Sequence, residues 1–267
     1  MMICPVCGEP LKMLPGMMRC CQGHCFDVAK EGYVNLLRTN KKGDLIGDDK
    51  FSARSRRDFL NKGYYASLQE ALCGIFADKQ GTLLDICCGE GYYTAALGEN
   101  PNLQVFGFDI SREMVRLAAK RGKGTYFVAN MASIPVGDAS MDYAVHLFAP
   151  FNENAFARVL KPGGKLYSVV PGEYHLWGLK QALYDTPYEN DEKLPETTAL
   201  RLMGVQKVSA CIDLKSQEDI QAVFRMTPYY FHTSQQDKEK LVVLEHLQTP
   251  VEFVIGIYEK CAGESHD

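Results

Sequence analysis

Between residues 82 and 170, apolar runs of strand length alternate with helix-length stretches, and this alternation restricts the fold more than any other feature of the chain. The runs are 82–86 (TLLDI), 104–110 (QVFGFDI), 125–129 (TYFVA), 141–148 (MDYAVHLF) and 165–170 (KLYSVV). Between them, 92–97, 112–122 and 152–160 read as helices, with Ser111 as an N-cap and Met114 in the apolar stripe behind it. Strands joined by helical crossovers build a parallel sheet covered on both faces. Two late runs, 205–214 and 251–259, flank a helix around 216–224 and raise the expected strand count to seven. Ahead of the alternation, 53–60 and 65–77 read as helices, the second with Leu68, Leu72, Ile75 and Phe76 on one face. With 46% hydrophobic residues in 267, the chain can bury a sizeable core. The expected fold is α/β, a doubly wound, mostly parallel seven-stranded sheet.

Open sheets of this kind bind ligands at the carboxyl ends of their strands. The first such end reads Asp85-Ile86-Cys87-Cys88-Gly89-Glu90-Gly91-Tyr92. Glycines there admit positive φ and a close ligand, and the helix that follows offers free N–H groups. A dinucleotide fingerprint would need a third glycine where Thr94 stands, and no Gly-Lys-Ser/Thr of a P-loop is present. Acidic residues flank the turn instead. Asp109, at the tip of the second strand, can accept both ribose hydroxyls of an adenosine. Asp85 can sit beneath a cationic amino-acid group. Asn130-Met131-Ala132 follows the third strand, and Leu160-Lys161-Pro162-Gly163-Gly164 precedes the fifth. In this order the pattern resembles the class I S-adenosylmethionine-dependent methyltransferases, with Cys87 in place of the family's first glycine. The resemblance implies cofactor contacts at Asp85, Gly89, Glu90, Gly91, Tyr92, Asp109, Ile110, Asn130, Met131 and Ala132.

Ten cysteines in a chain expected to be cytoplasmic call for something other than disulfides. Cys73, Cys87, Cys88, Cys211 and Cys261 are scattered, mostly among apolar neighbours, and read as buried free thiols. Cys4, Cys7, Cys20, Cys21 and Cys25 crowd the front. Cys4-x2-Cys7 with Cys20-x3-His24 supplies four ligands at zinc spacing, although Cys21 could stand for Cys20 and Cys25 for His24. Four protein ligands leave no open position, so the site is expected to be structural. Such a metal clip would stabilise a unit of about 37 residues that is too small for a core of its own.

The block from His24 to Leu37 (HCFDVAKEGYVNLL) is similar to one subfamily. So are Gly89 to Thr94 (GEGYYT), Pro171-Gly172 with His175-Leu176, and Met226-Thr227-Pro228. Together they resemble the RlmA family, bacterial 23S ribosomal RNA guanine-N1 methyltransferases, over nearly the whole chain. The resemblance implies zinc on Cys4, Cys7, Cys20 and His24, and cofactor contacts at Tyr65, at the Gly91-Tyr92 turn and at His175. It also implies a zinc module (1–37) that helps to grip an rRNA hairpin, a basic linker and helix (38–62) and a methyltransferase domain (63–267). A homodimer is admitted as one assembly.

Charge agrees with such a layout: residues 1–62 carry eleven Lys/Arg against seven Asp/Glu, while the rest of the chain carries eighteen against twenty-six. A basic front on an acidic body suits an anionic partner. No apolar run is long enough for a membrane span, and no secretory pattern opens the chain, so a cytoplasmic location is expected. Methyl transfer to guanine N1 needs a flipped-out base and an acceptor for the N1 proton. Phe148 and Phe151 are both candidates to stack on that base. No catalytic residue is assigned, and His146, inside an apolar strand, stays outside the catalytic set. Two other readings are carried: a small-molecule methyltransferase with a zinc-stabilised lid, and an RNA-binding or resistance module that binds cofactor without turnover.

Overall fold

The computed structural model describes residues 1–38 and 50–261. Most of the segment read as a polar linker, 38–52, lies outside the described residues. The first elements are short: β1 (Lys12–Leu14), β2 (Met17–Arg19) and β3 (Cys25–Asp27) form a small antiparallel sheet. Then β4 (Val34–Asn35) leaves this unit and pairs in parallel with β7 (Thr125–Val128), placing Val34 opposite Phe127.

The main sheet follows from the alternation. Its central strands are β5 (Gly81–Ile86), β6 (Leu103–Asp109), β7, β8 (Met141–Leu147) and β9 (Leu160–Pro171), all parallel. The late strands β10 (Leu200–Leu214) and β11 (Leu247–Lys260) complete it, β11 antiparallel to both β9 and β10. The order is β10-β11-β9-β8-β5-β6-β7-β4. The sheet thus has the seven expected strands plus an eighth, the two-residue β4 from the front segment. β9 starts five residues earlier than the apolar run suggests. Leu160 pairs with Met141, and a register shift next to it absorbs the Lys161–Gly164 turn.

Helices α1 (Lys50–Asn61), α2 (Ala66–Phe76), α3 (Tyr92–Leu97), α4 (Arg112–Arg121), α5 (Glu153–Val159), α6 (Trp177–Leu183), α7 (Gln217–Arg225) and α8 (Gln235–Lys240) surround the sheet. Strand residues alternate between two cores. Leu83, Val105, Val145 and Val169 join Leu68, Leu72 and Phe76 of α2, whereas Leu84, Phe106, Ala144 and Leu166 join Phe156 and Val159 of α5. Burying each of these side chains larger than alanine contributes about 1.5–3 kcal/mol. Met2, Leu11, Met18, Val34 and Leu36 belong to the second core. The small front unit therefore gets its apolar contacts from the main sheet, which answers its lack of a core of its own.

Strand connections run outwards in both directions from β5, to β6 and β7 on one side and to β8 and β9 on the other. The point of reversal lies at the carboxyl end of β5. Open sheets of this kind take their ligands at such a reversal point, and the glycine turn from Cys87 to Gly91 lies at it.

Candidate active site and metal centre

The turn after β5 is made of left-handed residues: Cys87, Gly89 and Gly91 have φ of 60°, 56° and 81°. Gly91 has a second reason to be glycine, because a Cβ there would lie 2.7 Å from the Ala118 methyl of α4. Cys87 adopts the same left-handed region without a glycine's freedom. The Gly89 N–H donates to Asp109 Oδ2 (3.0 Å) and the Ser111 N–H to Asp109 Oδ1 (2.8 Å). Asp109 thus ties the first turn to the second.

Asp85 is buried at the end of β5. Its Oδ2 accepts from the Thr94 hydroxyl (2.5 Å), while Oδ1 has no partner among the described residues. Burial pushes its carboxyl up to about 7, with the Asp109 charge adding to the effect and the Thr94 bond opposing it. The buried Glu90 gives one oxygen to Arg121 Nε (2.6 Å), and Arg121 also reaches Asn61. Its other oxygen, like the hydroxyl of Tyr93, is buried without a partner among the described residues. Unpaired buried polar atoms are costly, and here they cluster at a strand end beside a turn that admits a ligand. The unpartnered buried carboxylate oxygens of Asp85 and Glu90 fit a ligand with a cationic amino group, and the Asp109 carboxylate at the next strand end fits a ribose.

Tyr65 and His175 stand 110 residues apart in sequence and meet across the site, Tyr65 Oη lying 3.2 Å from His175 Nε2. The Glu252 N–H donates to His175 Nδ1 (3.2 Å). Neutral His175 therefore carries its proton on Nε2 and gives it to Tyr65, which leaves the Tyr65 hydroxyl proton for another acceptor. Burial holds His175 down at about 4, with the Lys180 charge assisting. Asn130 accepts from the Ala132 N–H (2.9 Å), fixing the Asn130-Met131-Ala132 turn at the carboxyl end of β7. Ile110 follows Asp109 on the same rim, half-buried.

At the end of β8, the exposed Phe148 has φ of 55°, a region that costs a residue with a side chain about 1 kcal/mol or more. Phe151 instead packs edge-on to His146 and Phe156. His146 is buried, its Nε2–H donating to the Pro150 carbonyl (3.1 Å) and its Nδ1 accepting from Ser168 (3.2 Å). Burial holds it at about 4, so it is neutral, with both ring nitrogens engaged.

Sequence reasoning missed several members of the site. Thr94 occupies the absent third-glycine position, and only a hydroxyl one turn into α3 hints at its bond to Asp85. Tyr93 was quoted in the GEGYYT block without a role. Lys180, fully buried, donates to the Tyr188 carbonyl and Asn190 Oδ1 (both 2.8 Å), and Asn190 in turn donates to the carbonyls of Gly172 and His175. This brace reaches from α6 to His175 through an irregular segment that has no periodic pattern.

At the front, one ligand atom each from Cys4, Cys7, Cys20 and His24 lies within 4.8 Å of every other. The Cys7–Cys20 sulfurs are 3.7 Å apart, and His24 Nδ1 lies 3.6 Å from Cys4 Sγ and 3.4 Å from Cys20 Sγ. Tetrahedral zinc with ordinary bond lengths requires S···S near about 3.8 Å and S···N near about 3.6 Å. The four residues fit the ion with its shell filled. Cys21 turns to Glu9 and Cys25 to the Gly23 carbonyl, both exposed, and the four-residue cluster includes Cys20 and His24 but neither Cys21 nor Cys25.

Comparison with known proteins gives two family matches: the RlmA N-terminal zinc ribbon over residues 2–44 and a methyltransferase domain over residues 83–164. A 23S rRNA (guanine(748)-N(1))-methyltransferase of Streptomyces fradiae is 36% identical over 67% of this chain and 66% of its own length. The chain thus spans just under two thirds of that relative. YxjB of Bacillus subtilis (strain 168), named as a candidate 23S rRNA (guanine-N(1)-)-methyltransferase, is 29% identical over 95% of this chain and 96% of its own length. A demethylmenaquinone methyltransferase of Anoxybacillus flavithermus is 32% identical, but over only 38% of this chain and 49% of its own length. The likeness to proteins named for methylating 23S rRNA at guanine N1 runs over most of the chain, which joins an RlmA-type zinc ribbon to a methyltransferase domain.

Proposed function

We propose that this chain transfers a methyl group from S-adenosylmethionine to N1 of a guanine in 23S ribosomal RNA. One observation carries the reading: the similarity to proteins named for that reaction extends through the zinc ribbon, whereas similarity to a small-molecule methyltransferase covers only part of the chain.

When bound, the cofactor supplies an electrophilic methyl group on a sulfonium. The chain's own residues orient and exclude. Asp85 and Glu90 would take the amino-acid end, Asp109 the ribose, and the rim from Asn130 to Ala132 the side nearest the base. The Tyr65–His175 pair offers one hydroxyl proton to an acceptor in the site. Because His146 and His175 are held neutral and engaged, neither is assigned as acceptor of the guanine N1 proton.

The ribbon would serve as a rigid platform for RNA. Lys12, Arg19, Lys30 and Arg38 are exposed on it, and Arg54 is exposed on α1. These side chains suit phosphates, and on this reading they meet an rRNA hairpin while the site receives one base. The work would take place in the cytoplasm. No helix among the described residues is long and apolar enough to cross a membrane.

The test is transfer from methyl-labelled cofactor to unmodified 23S rRNA fragments across a salt series. The expected result is label in RNA, with affinity falling steeply as salt rises. Label passed to a small acceptor without RNA, and none to RNA, would overturn the proposal.

A further inference from the structure

We infer that Phe148 is the face on which the target guanine stacks once it leaves the RNA helix. This rests on the rRNA reading above and deepens it by naming the residue that receives the base. Enzymes that act on a base hold the extruded ring against aromatic or apolar side chains. Two phenylalanines follow β8, and the structure separates them. The Phe151 ring is engaged by His146, Phe156 and Tyr258. One side of Phe148 packs on Phe253 (centroids 5.8 Å), but the ring is 44% exposed at the carboxyl end of β8, the strand next to β5 and its glycine turn.

Three further observations point the same way. Phe148 sits at φ of 55°, where most residues with side chains are disfavoured, so the fold maintains an aromatic in the open against local preference. The turn is held from behind. The Phe148 N–H donates to the Val169 carbonyl (3.2 Å), and His146 holds the Pro150 carbonyl. Phe148 is also aligned with the site. Its ring lies 30° from the plane of His175 at a centroid distance of 6.5 Å, and His175 bonds Tyr65. A planar base on the open side of Phe148 would continue this arrangement beyond the carboxyl end of β8.

The experiment compares the full-length protein with F148G, F148L and F148W. It measures kcat/KM for a 23S rRNA fragment, cofactor Kd by calorimetry, and melting temperature. Glycine adopts this φ freely, so F148G is expected to fold as well as the parent. Aromatic stacking on a base corresponds to roughly 5- to 150-fold in affinity. F148G and F148L should lose that much in kcat/KM for RNA, with cofactor Kd within about twofold of the parent, and F148W should recover most of the loss. A folded F148G that methylates RNA within about twofold of the parent overturns the proposal while the rRNA reading stands. A loss matched by an equal rise in cofactor Kd also overturns it, because Phe148 would then be serving the cofactor. A parent protein that methylates no 23S fragment overturns the rRNA reading and this inference together.

Discussion

Asp85 offers the sharpest test of the site's electrostatics. Its carboxyl is moved from 3.8 to about 7 by burial, a displacement equivalent to about 4 kcal/mol between the folded and unfolded chains. The folded carboxyl binds its proton more tightly than the unfolded one. Stability is therefore undiminished below about pH 4 and declines as pH rises towards 7, after which the full penalty applies. Asp85→Asn removes the charge and keeps an oxygen for the Thr94 hydroxyl. Part of the gain is offset by burying an amide, so the variant should be about 2–4 kcal/mol more stable than the parent at pH 8. In a chain of this size that corresponds to a melting point about 5–15 °C higher. Near pH 4.5 the advantage should almost vanish. Urea unfolding of both proteins at pH 4.5, 6 and 8 measures it. Cofactor affinity, read separately by calorimetry, should fall in the variant, because the proposed function gives Asp85 the cofactor's cationic amino group. An Asn variant that is destabilised equally at all three pH values would refute the reasoning: Asp85 would then matter for its hydrogen bond and not for its buried charge.

Other perturbations follow from the same geometry. Gly91→Ala places a methyl 2.7 Å from Ala118 at a left-handed φ and should cost more than about 2 kcal/mol in urea unfolding, whereas Gly89→Ala, with nothing within 4 Å, should cost only about 1 kcal/mol; equal losses would contradict the packing argument. A strong chelator, or Cys20→Ser, should remove zinc measured by mass spectrometry and lower the melting point, while Cys21→Ser and Cys25→Ser should retain a full equivalent of metal. His146 and His175 are both held at about 4, so ring resonances followed by NMR should show neither titrating above pH 5; a midpoint near 6.5 for either would contradict its burial and bonding.

The sheet and the glycine turn were legible because both follow from local rules. Alternating runs such as TLLDI and QVFGFDI need burial on two faces, and Gly91 needs both its φ and its close approach to Ala118. The zinc set was only partly legible. Spacing admits Cys21 and Cys25 as readily as Cys20 and His24, and the choice depends on which way each side chain leaves its turn. β4 was missed because two residues carry no periodicity, and their strand character comes from β7. Contacts across the fold were the least visible. Nothing around Tyr65 announces His175, and the Lys180–Asn190 brace joins a helix to an irregular segment. The rings of Phe148 and Phe151 differ only in where the chain turns after β8, which is a property of tertiary packing.

The most direct test of the central claim is nucleoside mass spectrometry of a 23S rRNA fragment incubated with the purified protein and S-adenosylmethionine. One new N1-methylguanosine per fragment is expected, absent when the cofactor is omitted. A methyl group on another base or another guanine atom, or no methylated nucleoside from a protein that binds both cofactor and RNA, would contradict it.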